Sequence, residues 1–241
     1  MHPNQLQLGF LKVLKGSKLQ ERAAEFGIIY TQNPPYEVLY SDWISYGELR
    51  RLKRVEEMVE LYYNSNQFVT TLRLLEGCFS SPFELFDRLA SFYKEEGFFI
   101  QTPARGYRYD VLYQFICREL PQYEPVFRET LLYDLFLREN VKKRPDFSPE
   151  DTLSHGQREY IRIFYKEQEK QCDVLRGYLG FDARQLSKMT HVESFRYPVD
   201  SLQDGARPWE LRPLDVPELI LFDYKERNPL TQDARVVLLS C

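Results

Sequence analysis

His191, Glu193 and Asp223 have the residue types and spacing that a single reactive site requires. His191 and Glu193 stand two positions apart in HVESFRYPV, which has strand composition, so a β-strand turns both side chains to one face. Asp223 lies in a second segment of this kind, LILFDYK, and a neighbouring strand would bring it to the other two. Because imidazole and carboxylate groups bind metal ions and transfer protons, the three residues are a candidate site of an independent metal-dependent enzyme.

The same three residues also fit the exposed polar face of a half-buried sheet. No feature of the sequence sets the register of the two strands, and the register decides whether Asp223 meets His191. We therefore favour the exposed polar face over a reactive site.

Arg105 and Arg108 form a second candidate polar site, in the sequence RGYRYD at the start of an expected helix. The amide groups of a helix N-terminus and arginine side chains bind anions. The competing interpretation is a junction between a loop and a helix whose tyrosines pack inward, and we favour it here.

Motifs of the common catalytic and metal-binding classes are absent from the sequence. The cysteines Cys78, Cys117, Cys172 and Cys241 are widely spaced, so no CxxC pair exists for a zinc site or a disulfide framework. There is no GxGxxG, GxSxG or HExxH motif. The sequence assigns no catalytic, cofactor-binding or metal-ligating residue.

Length, composition and charge limit the classes of protein to which the chain can belong. A length of 241 residues, with 43% hydrophobic and 28% charged residues, is typical of one large globular domain with at most a small appendage. A net charge of −4 argues against nucleic-acid binding by bulk charge. No apolar run approaches the roughly 18–20 residues that span a bilayer, and the polar start argues against a signal peptide. We expect a cytoplasmic protein that binds neither nucleic acid nor membrane.

Apolar residues at three- and four-residue spacing predict an array of about six helices. Ser81 with Glu84 and Ser154 with Gln157 predict capping boxes at the starts of two of these helices. The predicted helices cover residues 46–62, 67–76, 82–96 and 107–119, a segment from Pro125, and a longest helix from Ser154 to about Tyr178.

The two ends of the chain differ from this helical region. Residues 6–14 alternate as in a strand, a short helix is expected over residues 18–25, and an irregular arm follows. Strand composition returns at residues 191–199, 219–225 and 235–239, and Asn228-Pro229 predicts an antiparallel hairpin between the last two.

These patterns predict a mainly α fold, with a small C-terminal antiparallel β-sheet and an N-terminal strand or arm. We expect three parts: an arm over residues 1–45, a helical domain over 46–190, and a small sheet over 191–241 that packs on the helical domain.

Residues 6–76, which begin LQLGFLKVLKGSKLQERAAEFGIIY, resemble a stretch of the cobalamin-binding radical S-adenosylmethionine proteins, a family of Fe–S oxidoreductases. In that family the stretch leaves the partial barrel and enters a C-terminal domain of unknown function. The later segments HVESF, ILFDY and RNP are similar to the end of that domain, so the resemblance covers essentially the whole chain. Residues 6–14 would correspond to the last barrel strand.

The resemblance implies [4Fe–4S], S-adenosylmethionine and cobalamin for the full-length family, but no cofactor for this chain. The family's barrel binds its cluster through a CxxxCxxC motif, which this sequence lacks together with the cobalamin-binding region. None of the family's catalytic residues therefore has a counterpart here. The start at Met1 then suggests a truncated product, a separate reading frame or an expressed fragment.

Three functions remain open. The leading one is a non-catalytic accessory domain that covers a radical S-adenosylmethionine barrel and shapes its substrate cavity. The others are a protein-interaction module and the metal-dependent enzyme described above. Since residues 6–14 would expose an apolar strand edge, we expect residues 1–16 to be mobile or to pack on the barrel or on a second subunit.

Overall fold

The computed structural model describes residues 3–141, 143–149, 153–202 and 204–239. Two compact units form, one from Met1–Ser65 with Ser81–Gln101 and the other from Asn66–Ser80 with Thr102–Cys241. They are called unit 1 and unit 2 below. The predicted division at residues 45 and 190 stays a prediction about domains.

The described residues form eight α-helices and five β-strands. The helices are α1 (Lys18–Arg22), α2 (Tyr46–Met58), α3 (Val69–Glu76), α4 (Pro82–Glu95), α5 (Tyr107–Glu119), α6 (Glu124–Arg138), α7 (His155–Gln171) and α8 (Ala183–Met189). The strands are β1 (Ile29–Tyr30), β2 (Val38–Tyr40), β3 (Thr190–Phe195), β4 (Glu218–Arg227) and β5 (Ala234–Leu239). The mainly helical fold with a small C-terminal antiparallel sheet is confirmed.

Unit 1 consists of the N-terminal segment, the β1–β2 pair and helices α1, α2 and α4. A small apolar cluster centred on Val13, Ala23, Ile28 and Val38 holds its N-terminal part together. Arg51 and Asp87 form a bidentate ion pair that joins α2 to α4. A π-helical segment, Val59–Asn64, continues α2, and the Tyr62 hydroxyl in it hydrogen-bonds to the Tyr93 hydroxyl of α4.

Unit 2 contains the antiparallel sheet in the order β3–β4–β5, and helices cover both of its faces. Tyr133 and Phe136 of α6 lie against Phe195 and Phe222 on one face. On the other face an apolar cluster joins the sheet to α7 and α8, through Phe164, Tyr165, Leu175, Tyr178, Leu186, Leu219, Leu221 and Leu239. The half-buried sheet with an exposed polar face, expected from the sequence, is therefore wrong for this unit.

Helix caps explain most of the helix boundaries. Ser154 forms the predicted reciprocal capping box with Gln157. At Ser81 the N-cap hydrogen bond from the backbone N–H of Glu84 confirms the predicted start of the helix. The hairpin between β4 and β5 is also confirmed, and Asn228 accepts from the backbone N–H groups of Leu230 and Thr231 in its turn.

The longest predicted helix ends earlier than expected, at Gln171 rather than near Tyr178. The side-chain oxygen of Gln168 accepts from the backbone N–H groups of Val174 and Leu175, both at 2.9 Å. Cys172 adopts a left-handed conformation with φ 49°. The side chain of Gln168 thus replaces the helical carbonyl partners of the residues that follow.

Two further segments differ from the sequence-based predictions. Residues 183–189 form α8, which was not predicted, and Asp182 caps it. Residues 6–14 were predicted as a strand, but their only β-type pairing in the described structure is a single antiparallel bridge between Lys12 and Glu37. The regular pairing of this region is instead β1 with β2, because Asn33 accepts from the backbone N–H of Tyr36 and turns the chain back.

Candidate functional site

His191 and Glu193 lie side by side on β3, where they face α6. The Nε2 atom of His191 is 3.2 Å from Oε2 of Glu193, and the imidazole ring stacks on the ring of Phe136 at 3.8 Å between centroids. Glu193 is only 3% exposed, and its Oε1 accepts from the Arg144 guanidinium at 2.8 Å. The structure thus brings two of the predicted site residues together, with Arg144 as the cation that neutralises the carboxylate.

Asp223 lies on the opposite face of the sheet. In the register of β3 with β4, His191 is paired with Phe222 and Asp223 with Thr190. Directly paired residues of an antiparallel sheet share a face and consecutive residues alternate, so Asp223 points away from His191. The predicted trio of His191, Glu193 and Asp223 as one site is therefore wrong.

Asp223 instead anchors the face covered by α7 and α8. It is fully buried, and its carboxylate accepts from the Tyr178 hydroxyl at 2.6 Å, from Arg235 Nη2 at 3.0 Å and from the Lys225 backbone N–H at 3.1 Å. Burial and this hydrogen bond raise the pKa of Tyr178 well above the usual range of a tyrosine. These contacts satisfy a fully buried carboxylate and a buried tyrosine hydroxyl, which is the arrangement of a structural carboxylate.

Arg105 and Arg108 turn to different partners around the start of α5. Arg105 is exposed, 3.7 Å from a carboxylate oxygen of Glu139, and Arg108 donates to the carbonyl oxygen of Pro103 at 3.4 Å. Tyr109, next to them, is buried against the ring of Phe68. The two guanidinium groups contact different residues, and the inward packing of Tyr109 matches the junction interpretation.

Asp134 is a buried carboxylate that the sequence analysis missed. It extends from α6 to the first turn of α3, where it accepts from the backbone N–H groups of Thr70 at 3.0 Å and Thr71 at 2.8 Å, and from the Thr71 hydroxyl at 2.7 Å. The residue preceding α3, Phe68, offers no side-chain cap, so Asp134 supplies the cap from another helix. Burial raises the pKa of Asp134 to about 6, against the lowering effect of these hydrogen bonds.

Glu129 is a second buried carboxylate on the same helix. Its Oε2 accepts from the backbone N–H groups of Arg196 at 2.8 Å and Tyr197 at 2.9 Å, directly after the end of β3. Burial raises its pKa to about 7. The one sequence signal for both residues is an acidic side chain inside the apolar run of α6, where neighbouring positions are core residues.

The described part of the chain offers few groups for a metal. In residues 3–141, 143–149, 153–202 and 204–239, no three His, Cys, Asp or Glu side chains are grouped so that they could hold a metal ion. Cys78 follows α3, Cys117 lies in α5 and Cys172 ends α7. These thiols do not fit the ligand set of an iron–sulfur cluster, so no step through such a cluster is assigned to this chain.

The N-terminal segment, residues 3–16, offers a different kind of site, an apolar surface. Its leucines are well exposed, with fractions of 40% at Leu6, 38% at Leu8, 56% at Leu11 and 58% at Leu14. Val13, in contrast, is fully buried. The segment is held in unit 1 by backbone hydrogen bonds from Val13 to Tyr36 and from Val38 to Leu11. The Asn64 side chain also bonds to the backbone N–H and C=O of Leu6, both at 2.9 Å. The segment is therefore held at several points of its backbone while its leucine side chains stay exposed.

The expectation that residues 1–16 are mobile or covered by another chain stays a prediction. Residues 1 and 2 lie outside the described residues. From Leu11 to Val13 the segment packs within unit 1 through backbone hydrogen bonds to Tyr36 and Val38. No helix in the described residues is both long and apolar enough to cross a membrane.

Comparison with known proteins identifies the family of the chain but no activity or ligand. No curated protein matches the chain, and no solved structure matches it. Residues 24–211 match the family model DUF4080, which is described as a protein of unknown function. Because this match spans well over half of the chain, from just after α1 to the loop before β4, the protein belongs to the DUF4080 family.

Proposed function

We propose that this chain is a cytoplasmic, non-catalytic accessory domain of a cobalamin-dependent radical S-adenosylmethionine enzyme, an Fe–S oxidoreductase. It would cover the catalytic barrel and shape its substrate cavity. The observation that carries the proposal is the N-terminal segment, which is anchored in unit 1 and exposes Leu6, Leu8, Leu11 and Leu14. The resemblance of residues 6–76 to the barrel exit of that family supports the identity of the partner.

The exposed leucines favour a partner that offers a β-strand edge. An extended backbone presents N–H and C=O groups that pair with a neighbouring strand, and alternate side chains then enter apolar pockets. Leu6 and Leu8 alternate in this way. The backbone N–H and C=O of Leu6 already pair with the Asn64 side chain, so strand pairing would use the backbone after Leu6. A barrel whose last strand position is open supplies both the edge and the apolar interior. The partner is either the barrel of the same polypeptide or a second subunit.

The chemistry of such an enzyme would belong to the barrel. There [4Fe–4S], S-adenosylmethionine and cobalamin supply the reactive groups, whereas the described cysteines of this chain lie on three separate elements. The contribution of this chain is then to bind the barrel, to exclude water from the cavity and to restrict which substrates enter.

The test is association with a separately produced barrel that carries the CxxxCxxC motif. Size-exclusion chromatography with light scattering should show a one-to-one complex for the wild-type chain. The double variant Leu6→Asp with Leu8→Asp should lose it, because two carboxylates would be buried without partners. The matched control is Leu230→Asp, at a leucine in unit 2 that is even more exposed.

Two outcomes would overturn the proposal. One is a stoichiometric [4Fe–4S] spectrum after anaerobic reconstitution of this chain alone. The other is equal association of the wild type and the double variant, or none by either.

A protein-interaction module with another kind of partner remains the alternative, because the same leucines would serve it. A pull-down that recovers one stoichiometric partner without a CxxxCxxC motif, and that the double variant abolishes, would favour this alternative.

A further inference from the structure

Beside α6 in unit 2 lies a cleft of about 330 Å³, lined by charged residues and prolines. We propose that this cleft binds a small zwitterion of the free α-amino acid class, with the ammonium group at Glu129 and the carboxylate at Arg196. The proposal does not depend on the radical S-adenosylmethionine context. The volume lies at the lower end of the range of small-molecule sites, roughly 300–1,000 Å³.

One oxygen of Glu129 is open to the cleft. Glu129 is only 3% exposed, and its Oε2 is taken by the backbone N–H groups of Arg196 and Tyr197. No described residue hydrogen-bonds to Glu129 Oε1, and solvent reaches this oxygen. A carboxylate oxygen of a nearly buried side chain that lines the cleft is an acceptor for a ligand's ammonium group.

Arg196 supplies the positive charge of the cleft. Its side chain is exposed, and among the residues that the structure describes no carboxylate pairs with its guanidinium. Arg128, the other arginine of the cleft, is already engaged, since it donates to Glu124 Oε1 at 2.6 Å and to the Tyr113 hydroxyl at 2.7 Å. The guanidinium of Arg196 is therefore the group left to bind a ligand carboxylate, in the bidentate geometry that arginine favours.

The cleft thus offers one carboxylate oxygen, of Glu129, and one guanidinium, of Arg196, so it selects a ligand that carries both charges. A simple carboxylate would meet Arg196 but face the like charge of Glu129, and a simple amine would face the like charge of Arg196. Pro125, Pro149, Pro213 and the Tyr197 ring provide apolar walls for a side chain. A free α-amino acid with an aliphatic or aromatic side chain matches all of these features.

The site also predicts that binding depends on pH. Burial raises the pKa of Glu129 to about 7, with Arg196 lowering it and the Glu193 carboxylate raising it. Glu124, Arg128 and Tyr197 are the other titratable groups of the cleft. An ammonium ligand needs the ionised carboxylate, so its affinity should rise as the pH rises through about 7 and a proton is released.

The experiment is calorimetric titration of the full chain with free L-amino acids at about pH 8, one unit above the pKa of Glu129. The panel contains leucine, methionine, phenylalanine and tryptophan. The best ligand is then compared with its decarboxylated amine and its deaminated acid. We expect both analogues to bind at least about tenfold more weakly, the loss of one charged hydrogen bond.

Three variants locate the binding. Glu129→Gln keeps an oxygen for the two backbone N–H groups, so it should fold normally, bind about tenfold more weakly and lose the pH dependence. Arg196→Met should weaken binding by at least as much. Arg184→Met, at an exposed arginine on α8, is the control and should bind as the wild type does.

Failure of the whole panel would overturn the proposal. So would analogues with a single charge that bind as tightly as the amino acid, or equal affinities for the wild type and Glu129→Gln. None of these results bears on barrel association, which depends on the leucines of unit 1.

Discussion

Thr190 and Asp223 are directly paired across β3 and β4, and this pairing turns the Asp223 carboxylate away from His191 and Glu193. Asp223 and the Tyr178 hydroxyl are 2.6 Å apart on the face that α7 and α8 cover. The carboxylate therefore belongs to the interior of unit 2, and its removal takes away the 2.6 Å acceptor of the Tyr178 hydroxyl and one of the acceptors of Arg235, which also contacts Val174 and Glu226. Its role can be measured as stability.

Asp223→Ala should lower the free energy of unfolding by about 3 kcal/mol, because it breaks two hydrogen bonds of a fully buried carboxylate and its ion pair with the half-buried Arg235. Urea denaturation followed by circular dichroism gives this value. Asp215→Ala, at an exposed aspartate in the loop before β4, is the control and should change it by less than about 0.5 kcal/mol. Equal effects of the two substitutions would contradict the buried network.

Asp134→Ala should cost about 3 kcal/mol for a different reason, since α3 loses a cap that three hydrogen bonds from Thr70 and Thr71 provide. Amide hydrogen exchange should show the loss of protection concentrated in the first turn of α3. Asp146→Ala, at an aspartate that is 94% exposed, serves as the comparison. Uniform deprotection of unit 2 without any local loss at α3 would argue against a capping role.

The stability of unit 2 should depend on the protonation of Glu129. Its folded pKa, about 7, lies above the ordinary value of 4.5, so folding favours the protonated form. The resulting stability is complete below about pH 4 and is lost as the pH rises through about 7, by up to about 3 kcal/mol.

Comparison of the wild type with Glu129→Gln isolates this effect from all other carboxylates. The free energy of unfolding of the wild type should fall relative to that of the variant between about pH 4 and pH 8. Parallel curves over that range would show that the pKa of Glu129 is not raised.

Two positions of the N-terminal segment, Val13 and Leu8, should differ strongly in how much an introduced carboxylate lowers stability. Val13→Asp buries a carboxylate in the core of unit 1 and should cost more than about 3 kcal/mol. Leu8→Asp, at a side chain that is 38% exposed, should cost less than about 1 kcal/mol. Thermal unfolding of the two variants tests this directly, and a large loss at Leu8 would mean that the leucine already packs within the chain.

Gln168 should be essential for the end of α7. Its side-chain oxygen satisfies the backbone N–H groups of Val174 and Leu175, so Gln168→Ala should cost about 2 kcal/mol. Gln171→Ala, at an exposed position one turn later, should have little effect. If both substitutions cost the same, another feature ends the helix.

Much of the fold follows from local sequence because caps and turns act within a few residues. Ser81 and Ser154 cap the helices that they were predicted to cap, and Asn228 shapes the turn of the predicted hairpin. The end of α7 was not predicted, although Gln168 is only a few residues away. Apolar periodicity does not show that the Gln168 side chain takes the backbone N–H groups which helical carbonyls would otherwise accept.

The sequence by itself determined that His191 and Glu193 share a face, since alternation along a strand is a local property. Only the tertiary structure decided that Asp223 lies on the other face, because the strand register depends on pairing between segments far apart in the chain. The same holds for Asp134, which caps α3 from α6, and for Glu129, which meets the chain after β3. Each of these carboxylates acquires its partners, and its raised pKa, from burial that forms only when distant elements pack.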